Sequence, residues 1–171
     1  AAMDYLESRK DVNSKKVGVV AISLGGYYAP RIASMEKRYK ACVAWGACWD
    51  YHAQWKKRVA ASMKTELSVP GHHILWVFNT KNYEETFQKL EGFRLDGVVQ
   101  QMRCPFLLTH GIDDKQVSTR DAKLLYNAVG SKDKTLKIFS VKEGGSQHCQ
   151  RDNLSLGVTY ISDWLKKKLN P

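Results

Sequence analysis

The chain contains no apolar run of the ~20 residues that a membrane-crossing helix requires, so a helical membrane protein is not expected. Its opening, Ala1-Ala2-Met3-Asp4-Tyr5, has neither the basic region nor the apolar run of a secretory signal. Cysteine is scarce, and Cys42, Cys48, Cys104 and Cys149 show no C-x-x-C spacing. Three of them lie in or beside apolar segments, as reduced structural cysteines do. A cytoplasmic setting is the expectation that follows. Acidic residues are in deficit, 17 against 27 Lys and Arg, for a net charge of +10. That excess invites a nucleic-acid reading. The basic residues are spread, however, as Arg9-Lys10, Lys15-Lys16, Lys37-Arg38, Lys56-Lys57-Arg58 and Lys166-Lys167-Lys168. None of these clusters is interleaved with the aromatics and glycines of a nucleic-acid module, so a solvated surface is expected, with neither nucleic acid nor membrane as partner. His72-His73 lacks a carboxylate or cysteine at metal spacing, and no metal or other cofactor is expected.

What is present is enough for a globular domain. A length of 171 residues with 43% hydrophobic and 26% charged content allows a sizeable core. The stretch that organises the rest is Val17-Gly18-Val19-Val20-Ala21-Ile22-Ser23-Leu24-Gly25-Gly26. Val17 to Ile22 is apolar and rich in β-branched residues, as a strand covered on both faces requires. Ser23 follows directly, with Ala21 and Gly25 two places either side. This is G-x-S-x-G with its first glycine replaced by alanine, the pattern of a nucleophile elbow. The turn is tight, so the flanking residues must be small, and the amide of Leu24 can face a developing oxyanion. An ordinary strand-to-helix turn with a capping serine would show the same local residues.

In chain order, Asp4 to Lys10 reads as a helix end with Tyr5 and Leu6 inward. It opens without a cap or a methionine start, so the chain is expected to be a piece of a longer one. Gly25 to Lys37 reads as a helix, with Tyr28, Ile32 and Met35 recurring at helical spacing and Pro30 in its early part. Lys40 to Trp45 is a second buried strand, which makes a βαβ unit and implies a parallel sheet. Tyr51 to Met102 breaks the alternation. Its aromatics, among them Trp55, Trp76, Tyr83, Phe87 and Phe93, are mixed with charge, and it reads as a helical cap inserted over the sheet's carboxyl edge. Core organisation is thus expected over 1–50 and 103–171, with the cap over 51–102. The strand pattern resumes at Cys104–Thr109, Thr135–Val141 is another strand, and Leu154–Leu169 is a closing amphipathic helix with Leu154, Val158, Ile161 and Leu165 on one side.

Serine chemistry needs a base to take the hydroxyl proton and an acid to orient that base. Ser23 ends the first strand, Asp113 and Asp114 follow the third, and His148 follows the fourth. All lie at carboxyl ends of parallel strands, the rim where such sheets bind ligands. Asp114 is preferred to Asp113 because Gly111-x-x-Asp114-x-x-Val117 turns the carboxylate back and lets Val117 anchor the loop. His148 is preferred to His110, which stands immediately at its strand end and out of the Ser-Asp-His order. Trp49, Trp55 and Trp76 are the candidates to enclose a flat substrate.

On these residues the chain resembles the carboxyl-terminal half of the α/β-hydrolase family. Within it, Ser23-Leu24-Gly25-Gly26-Tyr27-Tyr28-Ala29, Trp45-Gly46, Leu95-Asp96-Gly97-Val98, Pro105 to Gly111 and His148-Cys149 are similar to the 2,6-dihydroxypseudooxynicotine hydrolases and to fungal hydrolases that shorten polyketides in pigment synthesis. The resemblance implies a parallel sheet flanked by helices with an inserted helical cap. It implies a Ser23-Asp114-His148 triad cleaving a carbon–carbon bond beside a ketone. The same residues would serve a carboxylester or lactone, and a non-catalytic binding module is a further alternative. The family's second oxyanion amide comes from a segment upstream of the elbow. The isolated chain is therefore expected to be nearly inactive. Its expected partners are a small-molecule substrate, the missing amino-terminal half and, as an open option, a second copy in a homodimer.

Overall fold

The computed structural model describes residues 1–62 and 71–170. Four strands, β1 (Gly18–Ile22), β2 (Ala41–Trp45), β3 (Phe106–Gly111) and β4 (Lys134–Phe139), pair in parallel in that order. The α-helices among the described residues are α1 (Ala2–Ser8), α2 (Gly25–Met35), α3 (Tyr51–Ser62), α4 (His73–Phe78), α5 (Tyr83–Leu90), α6 (Thr119–Ala128) and α7 (Leu154–Leu169). They fall into two compact units, one of Ala1–Trp49 with Leu95–Pro171 and one of Asp50–Arg94. The parallel sheet flanked by helices is the α/β architecture the sequence implies.

In the first unit β2 and β3 are the inner strands. Their continuous apolar runs are what a strand covered on both faces demands. Val43 and Leu107 meet Ile161 of α7, and Trp45, Tyr160, Trp164 and Leu165 close around them. Cys42, Ala44, Phe106 and Leu108 alternate to the other face and are equally buried. The helix α2 packs on β1 and β2 through Tyr27, Ala29 and Ala33, while Tyr28, Ile32 and Met35 form its outer face. Pro30 is its sixth residue and lies mid-helix rather than in the first turn. In α1, a helix of seven residues, the buried side chain is Met3, and Tyr5 points outward, against the sequence expectation. Likewise α7 buries Gly157 and Ile161 but leaves Leu154 and Val158 exposed. Strand β4 ends at Phe139, so Val141 lies beyond it in a turn.

The strand β1 is, with β4, one of the two edge strands of the sheet among the described residues. Val20 and Ile22 are 43% and 50% exposed, so it is not covered on both faces as its composition suggests. Lys40 donates its N–H to the Val17 carbonyl and Ser23 donates to the Trp45 carbonyl, each at 2.8 Å. The odd residues thus face β2, and in a parallel ladder the backbone groups of Gly18, Val20 and Ile22 point the other way.

The second unit is helical. Asp50 and Arg94 pair antiparallel, and the Tyr51 N–H donates to the Phe93 carbonyl at 3.0 Å. Tyr51, Trp55, Val59, Ile74 and Leu90 are its buried apolar residues among those described. Asn82 caps α5 by accepting from the Glu85 N–H. Of the segment expected as a cap over 51–102, Leu95 to Met102 belongs to the sheet-bearing unit, and 63–70 lie outside the described residues.

Candidate active site

Ser23 sits between β1 and α2 with a φ of 59°. A left-handed backbone at a non-glycine residue is strained and survives only where its surroundings hold it. Here the Ser23 N–H continues the β1–β2 ladder, and its carbonyl accepts from the Gly26 N–H at 2.8 Å. The small residues around it are obligatory. A Cβ on Gly25 would lie 2.4 Å from that of Ala21, and one on Gly26 would lie 1.7 Å from the Gly46 carbonyl oxygen. Leu24 follows as the cap of α2.

The turn after β3 carries the acid. Oδ1 of Asp114 accepts from the Gln116 and Val117 N–H groups at 2.8 and 2.9 Å. Oδ2 is left for the Nδ1 of His148, at 2.7 Å. The Asp114 side chain is fully covered. Asp113 instead uses its backbone, donating its N–H to the Ser146 carbonyl at 2.8 Å. That crossing needs Gly111, where a Cβ would stand 2.1 Å from the same carbonyl oxygen.

His148 lies in the loop after β4. Asp152 holds the loop by accepting from the Ser146 and Gln147 N–H groups at 2.9 and 3.0 Å. Cys149 takes a left-handed φ of 51°, and its thiol donates to the Trp45 carbonyl at 3.4 Å. That carbonyl also receives the Ser23 N–H. The result is a continuous relay, with the Ser23 Oγ 2.8 Å from the Nε2 of His148. A carboxylate at Nδ1 keeps the proton there, so in the neutral ring Nε2 accepts from the serine hydroxyl. Burial alone would lower the His148 pKa. The hydrogen bonds with Asp114 and Cys149 outweigh it and lift the value to about 9. For Asp114 burial acts upward, but the hydrogen bonds from His148 and Val117 prevail and hold its carboxyl below the usual range.

The structure thus brings Ser23, Asp114 and His148 together. It sets Trp49 half-buried at the end of the first unit's opening segment. In the second unit Trp55 is packed edge-on to Tyr51 and His73 at 5.9 and 5.0 Å, and Trp76 is 84% exposed on α4. Sequence reasoning set His110 aside as the base and gave neither it nor Cys149 a role here. Cys149 shares the Trp45 carbonyl with Ser23. His110 is fully buried, with its ring bonded to the backbone at Ala47 and Val117. The only signal for His110 is its place before Gly111, four residues ahead of Asp114.

A serine at a strand-to-helix turn of a parallel sheet, with an aspartate and a histidine from later strand ends, defines the α/β-hydrolase class. The chain matches the model of the Prolyl oligopeptidase family over residues 1–171 and belongs to that family. It is similar to Hydrolase acrC of Aspergillus aculeatus, at 25% identity over 175 residues covering 84% of this chain and 41% of that protein. It is also similar to the 2,6-dihydropseudooxynicotine hydrolase of Paenarthrobacter nicotinovorans, at 28% identity over 123 residues covering 67% of this chain and 29% of that one. Among solved structures, 2,6-dihydroxy-pseudo-oxynicotine hydrolase superposes with a TM-score of 0.75 at 25% identity, covering 99% of this chain and 44% of that chain. Acetyl xylan esterase 1 from Thermoanaerobacterium shares the fold, with a TM-score of 0.65 at 18% identity over 99% of this chain and 50% of that chain. The chain spans less than half the length of both curated relatives. Among the described residues no helix is long and apolar enough to cross a membrane.

Proposed function

We propose that this chain carries the Ser-Asp-His machinery of a serine hydrolase that cleaves a carbon–carbon bond beside a ketone in an aromatic or polyketide-like substrate. The observation that carries the reading is the hydrogen-bonded series Ser23 Oγ, His148 Nε2, His148 Nδ1, Asp114 Oδ2. Ser23 attacks the carbonyl while Nε2 takes its proton. The Leu24 amide faces the resulting oxyanion. Collapse breaks the carbon–carbon bond and expels a resonance-stabilised carbanion, which takes the proton held by His148, directly or through water, and leaves the ring neutral. Water activated by His148 then frees the acyl group from Ser23. The bond class is supported by the similarity to a pseudooxynicotine hydrolase. The same groups would open an ester or a lactone by the same steps.

In the complete enzyme a fluorophosphonate probe is expected to label Ser23, and the labelled peptide is read by mass spectrometry. Labelling of another serine, with Ser23 untouched, overturns the assignment. Turnover of a 1,3-diketone beside an aryl ester of matched size then separates the two bond classes.

The proposed partners are a small-molecule substrate and the amino-terminal part of the same enzyme, added as strands along β1. The outward backbone groups of Gly18, Val20 and Ile22 and the exposed Val20 and Ile22 side chains support that edge. So does the span of about half of the solved relatives. An upstream segment would also add the second oxyanion donor, and one such donor changes the rate by about 10²–10³. The isolated 171-residue chain is accordingly expected to hydrolyse p-nitrophenyl acetate at least ~10²-fold more slowly than the chain supplied with its upstream part. Equal rates for the two rule the upstream partner out.

A further inference from the structure

We propose that His110 is a positioning residue, which aims the Asp114 carboxylate at His148 by tying the turn from Gly111 to Val117 to the end of β2. The inference rests on the triad reading above and extends it to a side chain that touches neither substrate nor Ser23.

The argument begins with the ring's two nitrogens. The Ala47 N–H donates to Nδ1 at 3.2 Å, so Nδ1 carries no proton. The Val117 carbonyl lies 3.0 Å from Nε2, so Nε2 carries one and donates it. A single neutral tautomer satisfies both contacts, since a doubly protonated ring would set an N–H against the Ala47 N–H. Burial pushes the His110 pKa down, in keeping with a neutral ring.

Val117 is then held from both sides. Its carbonyl accepts from His110, while its N–H donates to Oδ1 of Asp114. Fixing Val117 fixes Oδ1, and this leaves Oδ2 in line with the Nδ1 of His148. Oδ2 stands 3.6 Å from the Nε2 of His110, too far for a hydrogen bond. His110 therefore acts on the carboxylate through Val117 rather than directly.

The other end of the clamp is the common anchor of the site. Ala47 is two residues beyond Trp45, whose carbonyl receives both the Ser23 N–H and the Cys149 thiol. Gly46 between them donates its N–H to the Thr109 carbonyl at 2.9 Å. The nucleophile turn, the histidine loop and, through His110, the acid turn all hang on residues 45–47.

Two variants divide the two contacts. His110→Asn keeps an acceptor near the Nδ1 position but is too short to reach the Val117 carbonyl. His110→Gln places an amide N–H where Nε2 stood. In the complete enzyme, His110→Asn is expected to lower kcat on p-nitrophenyl acetate by about 10²-fold with KM unchanged, and His110→Gln to recover most of that loss. The ionisable groups around the His148 ring are Asp114, Cys149 and His110. Its titration, followed by NMR of the imidazole without substrate, is expected to fall below that of the wild type in His110→Asn as the Asp114 bond loosens. An unchanged His148 titration and kcat in a folded His110→Asn overturns the proposal. So does an equal loss in both variants with the His148 titration intact, which would give His110 a role in the fold alone. Should His110→Asn not fold, the wild-type ring decides. His110 is expected to stay neutral, protonated at Nε2, through the range in which ordinary histidines titrate, and proton uptake there refutes the clamp. These NMR results stand apart from Ser23 labelling, whose failure would remove the triad reading without touching the clamp.

Discussion

Replacing Ser23 with alanine in the complete enzyme is expected to lower kcat by roughly 10⁴–10⁶, the scale seen when a triad nucleophile is removed from other enzymes. The size follows from what is lost. Without the hydroxyl no acyl-enzyme forms, and His148 has no proton to take at Nε2. What remains is binding and the oxyanion donors, which still accelerate attack by water. The substitution is also gentle on the fold. Ser23 is held by its backbone, through the N–H to the Trp45 carbonyl and the carbonyl to the Gly26 N–H. Its side chain is bonded to His148. Alanine meets the same left-handed φ of 59° that serine does, so stability is expected to change little. Steady-state kinetics on both a 1,3-diketone and p-nitrophenyl acetate, with thermal unfolding alongside, separate the two effects. A variant that keeps kcat within about tenfold of the wild type would remove Ser23 from the chemistry, since no intact triad tolerates that loss.

Much of this site was legible in the sequence because each of its three groups is set by short-range rules. An apolar strand, a small residue on each side of Ser23 and the Gly111-x-x-Asp114-x-x-Val117 spacing each describe a local turn. Position at the carboxyl ends of parallel strands then gathers them. The turn reading even chose between adjacent aspartates, and Asp114 faces His148 while Asp113 bonds through its backbone. What was not legible depends on which surface a partner occupies. Tyr28, Ile32 and Met35 recur at helical spacing, yet they face outward. The sheet side of α2 is built from Tyr27, Ala29 and Ala33, residues small enough at two of three positions to bring the helix close. The apolar composition of β1 implied cover on both faces, and composition cannot say which element supplies it. His110 and Cys149 were opaque for a related reason. Their partners are backbone atoms of Ala47, Val117 and Trp45. Two of the three lie more than 60 residues away, and backbone carbonyls and amides leave no mark in a sequence pattern.

Asp114→Asn is expected to reduce kcat on the order of 10⁴ while leaving the fold intact. The carboxylate has two tasks at two oxygens. Oδ1 closes its own turn by accepting from Gln116 and Val117, and an asparagine carbonyl oxygen does that equally well. Oδ2 accepts from the Nδ1 of His148. There the amide presents N–H groups, so the ring is driven to carry its proton on Nε2, and Nε2 can then no longer accept from Ser23. The charge has a second effect, on pH. The hydrogen bond to Asp114 and its negative charge are among the causes that raise His148 to about 9 from its ordinary 6.5. Because the base must be neutral to act, the wild-type kcat/KM is expected to climb with pH along a limb displaced upward from 6.5 toward about 9. In Asp114→Asn that limb moves to lower pH as its ceiling falls. The same raised pKa bears on stability. The stabilisation it represents is full below about 6.5, where the unfolded histidine is also protonated, and is lost as the pH rises through about 9. The wild-type advantage in melting temperature over Asp114→Asn should therefore narrow across that window. The partner measurement is Asp113→Asn, whose side chain is not part of the relay to His148. If that variant takes the 10⁴-fold loss and Asp114→Asn does not, the acid has been assigned to the wrong carboxylate, and with it the direction of the limb.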